Sequence, residues 1–151
     1  MKFVADTMLG KLARWLRILG YDTIYEPTLQ LKELVTLSNQ SDAMFLTRRK
    51  SMPDDIVPKR LFNVTYENFS DQLRCVIDHF GLDTKNNLFT RCLKCNAAVI
   101  PVEKSIIAGK IPEQSYRSFQ EFFQCPLCQS IYWGGAHRTN TLRKLQKVLQ
   151  Q

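Results

Sequence analysis

The sequence predicts an α/β fold in which a parallel sheet is flanked by helices and followed by a small metal-binding ribbon and a C-terminal helix. Short apolar runs alternate with segments of helical periodicity through the first 89 residues, which is typical of a parallel sheet. Beyond them come two closely spaced cysteine pairs and a basic amphipathic tail. We therefore expect an α/β domain over residues 1–89, a zinc ribbon over residues 90–137 and a helix over residues 138–151.

The α/β domain is predicted to begin with a buried strand that ends at Asp6. Apolar residues at helical spacing then predict a helix that Gly20 ends in the C′ position. A later helix is expected to begin at the N-cap Ser70 and to end at Gly81. The remaining elements are a helix over residues 31–38 and strands over residues 2–5, 23–25, 43–47 and 61–65.

Composition restricts the class of protein and its setting. The chain has 151 residues, 44% of them hydrophobic, and no apolar run approaches the ~18 residues that span a bilayer. An acid at Asp6 precedes any signal-peptide core, so we expect a cytoplasmic protein with no membrane partner. In such a reducing setting, closely paired cysteines favour a metal over disulfides.

Charge is unevenly distributed along the chain. Residues 1–89 hold 12 Lys and Arg against 11 Asp and Glu, whereas residues 90–151 hold 9 against 3. The basic second part predicts an anionic partner, and nucleic acid is the partner that this charge favours. Ordinary solubility explains the same charge equally well.

The cysteine spacing predicts a structural zinc site. Two residues separate the cysteines in each pair, and 29 residues separate the pairs. Each pair can aim both sulfur atoms at one point, and two pairs supply the four thiolates that Zn²⁺ prefers. A redox dithiol, an iron–sulfur cluster and buried thiols are the alternatives. The predicted ligands are Cys92, Cys95, Cys125 and Cys128.

Several side chains allow both a functional and a structural interpretation. Lys11, Arg14 and Arg17 can meet a phosphate backbone or form the solvated face of a helix. Asp6 can cap that helix or bind a metal at the carboxyl end of the sheet. Cys75 is expected to be a half-buried helical thiol.

The same two interpretations apply to the ribbon and the tail. His137 is expected to be a packed or surface residue, although it can also contact a phosphate. Tyr132 and Trp133 can stack on bases, but packing the small ribbon is their expected role. The tail over residues 139–151 should dock through an apolar stripe on the body or on a partner and extend the basic surface.

Six blocks of sequence resemble the Mut-seven carboxy-terminal RNase domain family, a PIN-like fold fused to a zinc ribbon. They cover nearly the whole chain in order and are FVADTMLGKLARWLRILGYDT at the start, FLTR, the pair Gln72-Leu73, RCLKCN, FQCPLC and IYWGGAH. The resemblance implies a ribonuclease in which clustered carboxylates hold Mg²⁺ or Mn²⁺. Asp6 matches the first of these carboxylates, and Glu33 lies where the family carries an acidic run.

This chain departs from the family pattern at the acidic positions. Arg49, followed by Lys50, stands where the family has aspartate after Leu-Thr-Arg. Asp54 and Asp55 compensate only if their loop folds back. The sequence therefore predicts a protein that binds RNA, or a protein partner, without efficient cleavage, and the alternative is an active Mg/Mn-dependent endoribonuclease with a rearranged site. The predicted RNA contacts are Lys11, Arg14, Arg17, Arg48, Arg49, Lys50, Arg91 and Lys94.

Overall fold

The protein divides into two compact units in a computed structural model that describes residues 1–150. The first unit is Met1–Asn96 and the second is Ala97–Gln151. No helix within the described residues is both long and apolar enough to cross a membrane.

A four-stranded parallel sheet forms the centre of the first unit. The strands lie in the order β2-β1-β3-β4, so the first strand occupies an interior position. Their carboxyl ends consequently meet at one edge, where an α/β sheet usually holds its ligand. The elements in chain order are β1 (Lys2–Ala5), α1 (Gly10–Ile18), β2 (Asp22–Ile24), α2 (Leu31–Gln40), β3 (Met44–Thr47), β4 (Leu61–Asn63) and α3 (Phe69–Phe80).

Helices cover both faces of this sheet, as the sequence predicts. Successive residues of a strand point to opposite faces. Val4 of β1 belongs to a buried cluster with Leu34 and Val35 of α2, whereas its neighbour Phe3 meets Phe80 of α3 edge-to-face at 5.5 Å between ring centroids. Both faces of β1 are therefore closed by apolar packing.

Both ends of α3 are set by the residues that cap the helix. Gly81 ends α3 in the left-handed conformation, as expected. The predicted N-cap Ser70 is wrong: Asn68 takes that position, and its side-chain oxygen accepts a hydrogen bond from the backbone N–H of Asp71 at 2.9 Å. A short 3-10 helix, Thr7–Leu9, also precedes α1, and Asp6 caps it.

The second unit contains a three-stranded antiparallel sheet and a long final helix. Its strands are β5 (Ile100–Pro101), β6 (Phe122–Gln124) and β7 (Ile131–Trp133), and β6 lies in the middle. A 3-10 helix (Lys104–Ile107) and α4 (Glu113–Ser118) separate β5 from β6. The chain ends in α5 (Ala136–Gln150), which buries Leu145 and Val148 and exposes Leu149. The predicted helix included residue 151, which lies outside the described residues.

Candidate metal centre and nucleic-acid interface

The four predicted zinc ligands converge in the structure. The sulfur atoms of Cys92, Cys95, Cys125 and Cys128 all lie within 4.8 Å of one another. Four sulfur atoms at ~2.3 Å from a tetrahedral ion stand ~3.8 Å apart. The cluster therefore fits Zn²⁺ in both donor type and spacing.

Both cysteine pairs are shaped by the same turn. The backbone N–H of Asn96 donates to the carbonyl of Cys92 at 2.9 Å, and that of Gln129 donates to the carbonyl of Cys125 at 3.1 Å. Asn96 and Gln129 have positive φ angles of 69° and 63°, and asparagine tolerates this left-handed region better than most residues. In each pair the first cysteine is buried and the second is exposed. Together the turns bring both sulfur atoms of each pair to one side.

The first cysteine pair is held by hydrogen bonds to the α/β body within the same unit. Asn96 accepts a hydrogen bond from the backbone N–H of Thr23 at 2.9 Å and donates its side-chain amide to Asp22 at 2.7 Å. Arg91 donates to the carbonyl of Gly20 at 3.2 Å and to that of Asn96 at 2.8 Å. These contacts position the turn independently of a bound ion.

Arg17 is buried, whereas the sequence predicts that it contacts the phosphate backbone of RNA. Its side chain is buried, with 6% of the residue exposed, and it donates to the carbonyls of Thr23, Leu93 and Lys94 at 2.9, 3.1 and 3.0 Å. Burial lowers its pKa, whereas the nearby Asp, Glu and Cys side chains act in the opposite direction. Since these carbonyls occupy Nε and Nη1, Arg17 supports the cysteine turn.

Asp6 lies at the carboxyl end of β1 with both side-chain oxygens engaged. Its Oδ1 accepts hydrogen bonds from the backbone N–H and the hydroxyl of Thr7 at 2.7 and 3.2 Å. Its Oδ2 accepts from the hydroxyl of Thr47 at 2.6 Å and from Nε of Arg49 at 3.0 Å. A carboxylate offers about four lone-pair sites. Four donors thus occupy them, and the fully buried Asp6 does not fit Mg²⁺ or Mn²⁺ in this arrangement.

Arg49 is itself held in place at this edge. Its backbone N–H donates to the hydroxyl of Thr47 at 3.1 Å, and its carbonyl accepts a hydrogen bond from the side chain of Asn63, at the end of β4. The ends of β1, β3 and β4 therefore share one polar network. The guanidinium of Arg49 lies at the centre of this network, next to the carboxylate of Asp6.

The other predicted carboxylates are placed differently. Glu33 is exposed in the first turn of α2, where it accepts a hydrogen bond from the backbone N–H of Gln30 at 2.7 Å and completes a capping box. Asp54 and Asp55 lie in an exposed loop. Within residues 1–150, the four cysteines are the one group of three or more Cys, His, Asp or Glu side chains whose ligand atoms converge. Asp6 and Glu33 as catalytic residues stay predictions.

The family model for the Mut7-C RNAse domain matches residues 1–145, which is nearly all of the chain. The chain belongs to the Mut7-C RNAse domain family. Comparisons with curated proteins and with solved structures gave no match. The chain is thus a relative of ribonuclease domains, and its four clustered cysteines lie close enough to hold a metal ion.

Exposed cations of this Mut7-C domain lie near the same edge of the sheet and on α1. Lys11 and Arg14 project from α1 into solvent, and Lys11 lies 4.4 Å above the ring centroid of Phe69. Lys50 is exposed and Arg48 is half-buried, just beyond β3. Among the described atoms, Nε of Arg48 is buried and has no hydrogen-bond partner. These cations and the exposed Lys94 remain candidate phosphate contacts, whereas Arg91 is engaged by the carbonyls of Gly20 and Asn96 and lies 3.8 Å from the carboxylate of Asp22.

Sequence reasoning missed the support of the first cysteine pair. The turn is held by hydrogen bonds of Arg17, Arg91 and Asn96. Five of these bonds join residues that are 71 to 77 positions apart along the chain. One signal was available: Arg17 lies within the apolar run Leu-Arg-Ile-Leu at the end of a helix. A long cation in an apolar helix end commonly reaches carbonyl groups.

Proposed function

We propose that this Mut7-C domain binds RNA at the carboxyl edge of its parallel sheet and cleaves it inefficiently or not at all. The observation that carries the proposal is the Asp6–Arg49 pair, with 3.0 Å between Nε and Oδ2. A nuclease of this kind needs clustered carboxylates to hold a divalent ion against the phosphodiester. A guanidinium at that position neutralises the first carboxylate and repels the ion.

The same substitution favours the binding of phosphate. With Asp6 neutralised, Arg48 and Lys50 add positive charge to an edge that is acidic in a metal-dependent nuclease. A buried donor without an acceptor costs about 1–3 kcal/mol. A phosphate oxygen that reaches the Nε of Arg48 after a small rearrangement relieves that cost. Loss of the metal site and gain of RNA affinity are therefore compatible.

Zinc has a structural role in this proposal. Four thiolates around Zn²⁺ would leave no position for a catalytic water. When bound, the ion would join the two cysteine turns through coordination bonds to Cys92, Cys95, Cys125 and Cys128. The chain's own residues Arg17, Arg91 and Asn96 orient the first turn through hydrogen bonds to backbone and side chains. A reducing, cytoplasmic setting is part of the proposal, because it keeps thiols available for metal.

An active Mg/Mn-dependent endoribonuclease is the second candidate, and membership of a ribonuclease family favours it. It requires Arg49 to leave Asp6 and other carboxylates to approach. Asp54 and Asp55 are the carboxylates that lie nearest to Arg49 in the sequence.

Single-turnover cleavage of end-labelled RNA with Mn²⁺, measured beside binding by fluorescence anisotropy, separates the two candidates. We expect bound RNA to stay intact, and Lys50→Gln to lower the slope of log affinity against log salt by about 0.7. We expect Arg49→Asp to weaken RNA binding and to raise Mn²⁺ affinity, measured by calorimetry. Arg60→Asp, which alters an exposed arginine paired with Asp42, is the matched control. Metal-dependent cleavage that Asp6→Asn abolishes would refute the proposal.

A further inference from the structure

The second unit carries a basic helical face on α5 (Ala136–Gln150), a helix with no Asp or Glu. No Asp or Glu occurs after Glu121, whereas α5 holds four Lys and Arg residues. Arg143, Lys144 and Lys147 are exposed, and Arg143 and Lys147 lie one turn apart on the same side, ~6 Å along the axis. Like charges at this spacing weaken a helix. An anionic partner along this face removes the repulsion.

A groove of about 370 Å³ lies in the same unit, beside the start of α5. Phe119 and Phe123 contribute to its walls, together with the polar side chains of Gln120 and Glu121 and with Arg138 from the first turn of α5. The volume is within the range of pockets that take small organic ligands. Aromatic walls with nearby hydrogen-bonding groups suit a planar nucleobase.

The groove is built on fixed backbone. Phe123 pairs with Pro101 on one side and Tyr132 on the other in the three-stranded sheet. The carbonyl of Phe119 accepts a hydrogen bond from the ammonium of Lys104 at 2.9 Å. The backbone that carries both aromatic side chains is therefore held in place before any ligand binds, which lowers the entropic cost of binding.

We propose that the second unit binds single-stranded RNA, with an unpaired base in the Phe119–Phe123 groove and the strand's phosphates along Arg143 and Lys147. Single strands are favoured over duplex because a base must leave its stack to enter the groove. Glu121 in the groove would repel a phosphate but can accept a hydrogen bond from a base amino group. The inference rests on the proposed RNA-binding function and adds a second contact surface and the class of RNA.

The test measures anisotropy of a labelled 12-nucleotide RNA on the full zinc-loaded chain, without added Mg²⁺ or Mn²⁺. Arg143→Gln with Lys147→Gln should lower the salt slope by about 1.4. Lys85→Gln with Lys110→Gln removes the same charge from exposed positions elsewhere and should leave affinity within about twofold. Phe119→Leu should weaken binding by about 5-fold or more.

A second measurement does not depend on the folding of variants. Photocrosslinking of 5-bromouridine RNA to the wild-type chain should label peptides that contain Phe119 or Phe123. Labelling confined to the first unit would overturn the inference, as would equal effects of the two double charge variants. A preference for duplex RNA, or competition by anionic lipid vesicles as strong as by RNA, would also overturn it. If Lys50→Gln lowers the salt slope while Arg143→Gln with Lys147→Gln does not, the inference fails and the proposed function stands; if the wild type binds no RNA, both fail.

Discussion

Replacing Arg17 with methionine should destabilise the α/β unit and weaken zinc binding together. The substitution keeps an unbranched side chain of similar length in the buried site and removes three hydrogen bonds. Two of them go to the carbonyls of Leu93 and Lys94, which lie between the first two cysteines. The third goes to the carbonyl of Thr23 in β2, and the backbone N–H of the same residue donates to the side chain of Asn96.

The expected magnitude follows from these contacts. A hydrogen bond from a charged group contributes about 1.5–3 kcal/mol, so three contribute at most about 9 kcal/mol. Removing a buried guanidinium also removes its desolvation cost, which offsets several kcal/mol. We expect a net loss of about 3 kcal/mol in the free energy of unfolding. Removing a side chain that orients a metal ligand typically costs about 10–100-fold in metal affinity, and we expect a loss of about that size for zinc.

Two assays measure these effects: urea denaturation of the zinc-loaded protein, and competition for zinc with a chromophoric chelator. Arg14→Met is the matched control, because Arg14 lies one turn earlier on α1 and is exposed. It should leave both quantities nearly unchanged while weakening RNA binding. The reasoning is refuted if Arg17→Met changes stability by no more than Arg14→Met does, or if it destabilises the protein without any change in zinc affinity.

Three further predictions concern the backbone and the remaining thiol. Gly20→Ala should lower the free energy of unfolding by at least about 3 kcal/mol, because φ is +91° and a Cβ would stand 2.2 Å from the carbonyl oxygen of Asn87. Gly81→Ala should lower it by only about 1–2 kcal/mol, because φ is +58° but the space around the new Cβ is open. Urea denaturation measures both variants. Asn68→Ala should cost about 1 kcal/mol through loss of the N-cap of α3. Burial, and then the Asp78 carboxylate, raises the pKa of the Cys75 thiol, so iodoacetamide should modify it more slowly in the folded protein than in urea, as mass spectrometry of its peptide would show.

Each of these has a contrary outcome. Equal costs for the two glycine variants would show that the contact with Asn87 relaxes freely. A stable Asn68→Ala protein would mean that water replaces the cap. For Cys75, the thiolate is the reactive form, and a raised pKa keeps the folded thiol protonated above the pH at which the unfolded thiol ionises. The contribution of Cys75 to the free energy of unfolding should therefore fall as the pH rises from the pKa of the unfolded thiol to that of the folded thiol. Fast alkylation of folded Cys75 at neutral pH would contradict a raised pKa.

Local pattern was sufficient to predict most of the fold. The apolar run at residues 2–5 predicted β1, and the helical spacing after it predicted α1. Both patterns are local, because each arises from burying apolar side chains of one element against the core. The cysteine spacing predicted a convergence that the structure confirms, since each pair needs only a tight turn. Ser70 was misassigned because Asn68, two positions earlier, is an equally good N-cap.

The candidate site depended on contacts that no local pattern encodes. Arg49 and Asp6 are 43 positions apart, and their pairing follows from the sheet order that places β3 beside β1. The sequence predicted that a cation at Arg49 opposes a metal. It did not predict that the guanidinium and two threonine residues would occupy the carboxylate of Asp6 fully.

The Asp6–Arg49 pair also bears on the rate at which RNA would arrive. Paired, the two groups cancel, so the positive field of Arg48 and Lys50 extends from the edge without a competing negative charge. Such a field accelerates encounter with a polyanion and decays over ~8 Å at physiological ionic strength. The association rate constant should therefore fall steeply with added salt, whereas the dissociation rate constant should depend mainly on the short-range contacts.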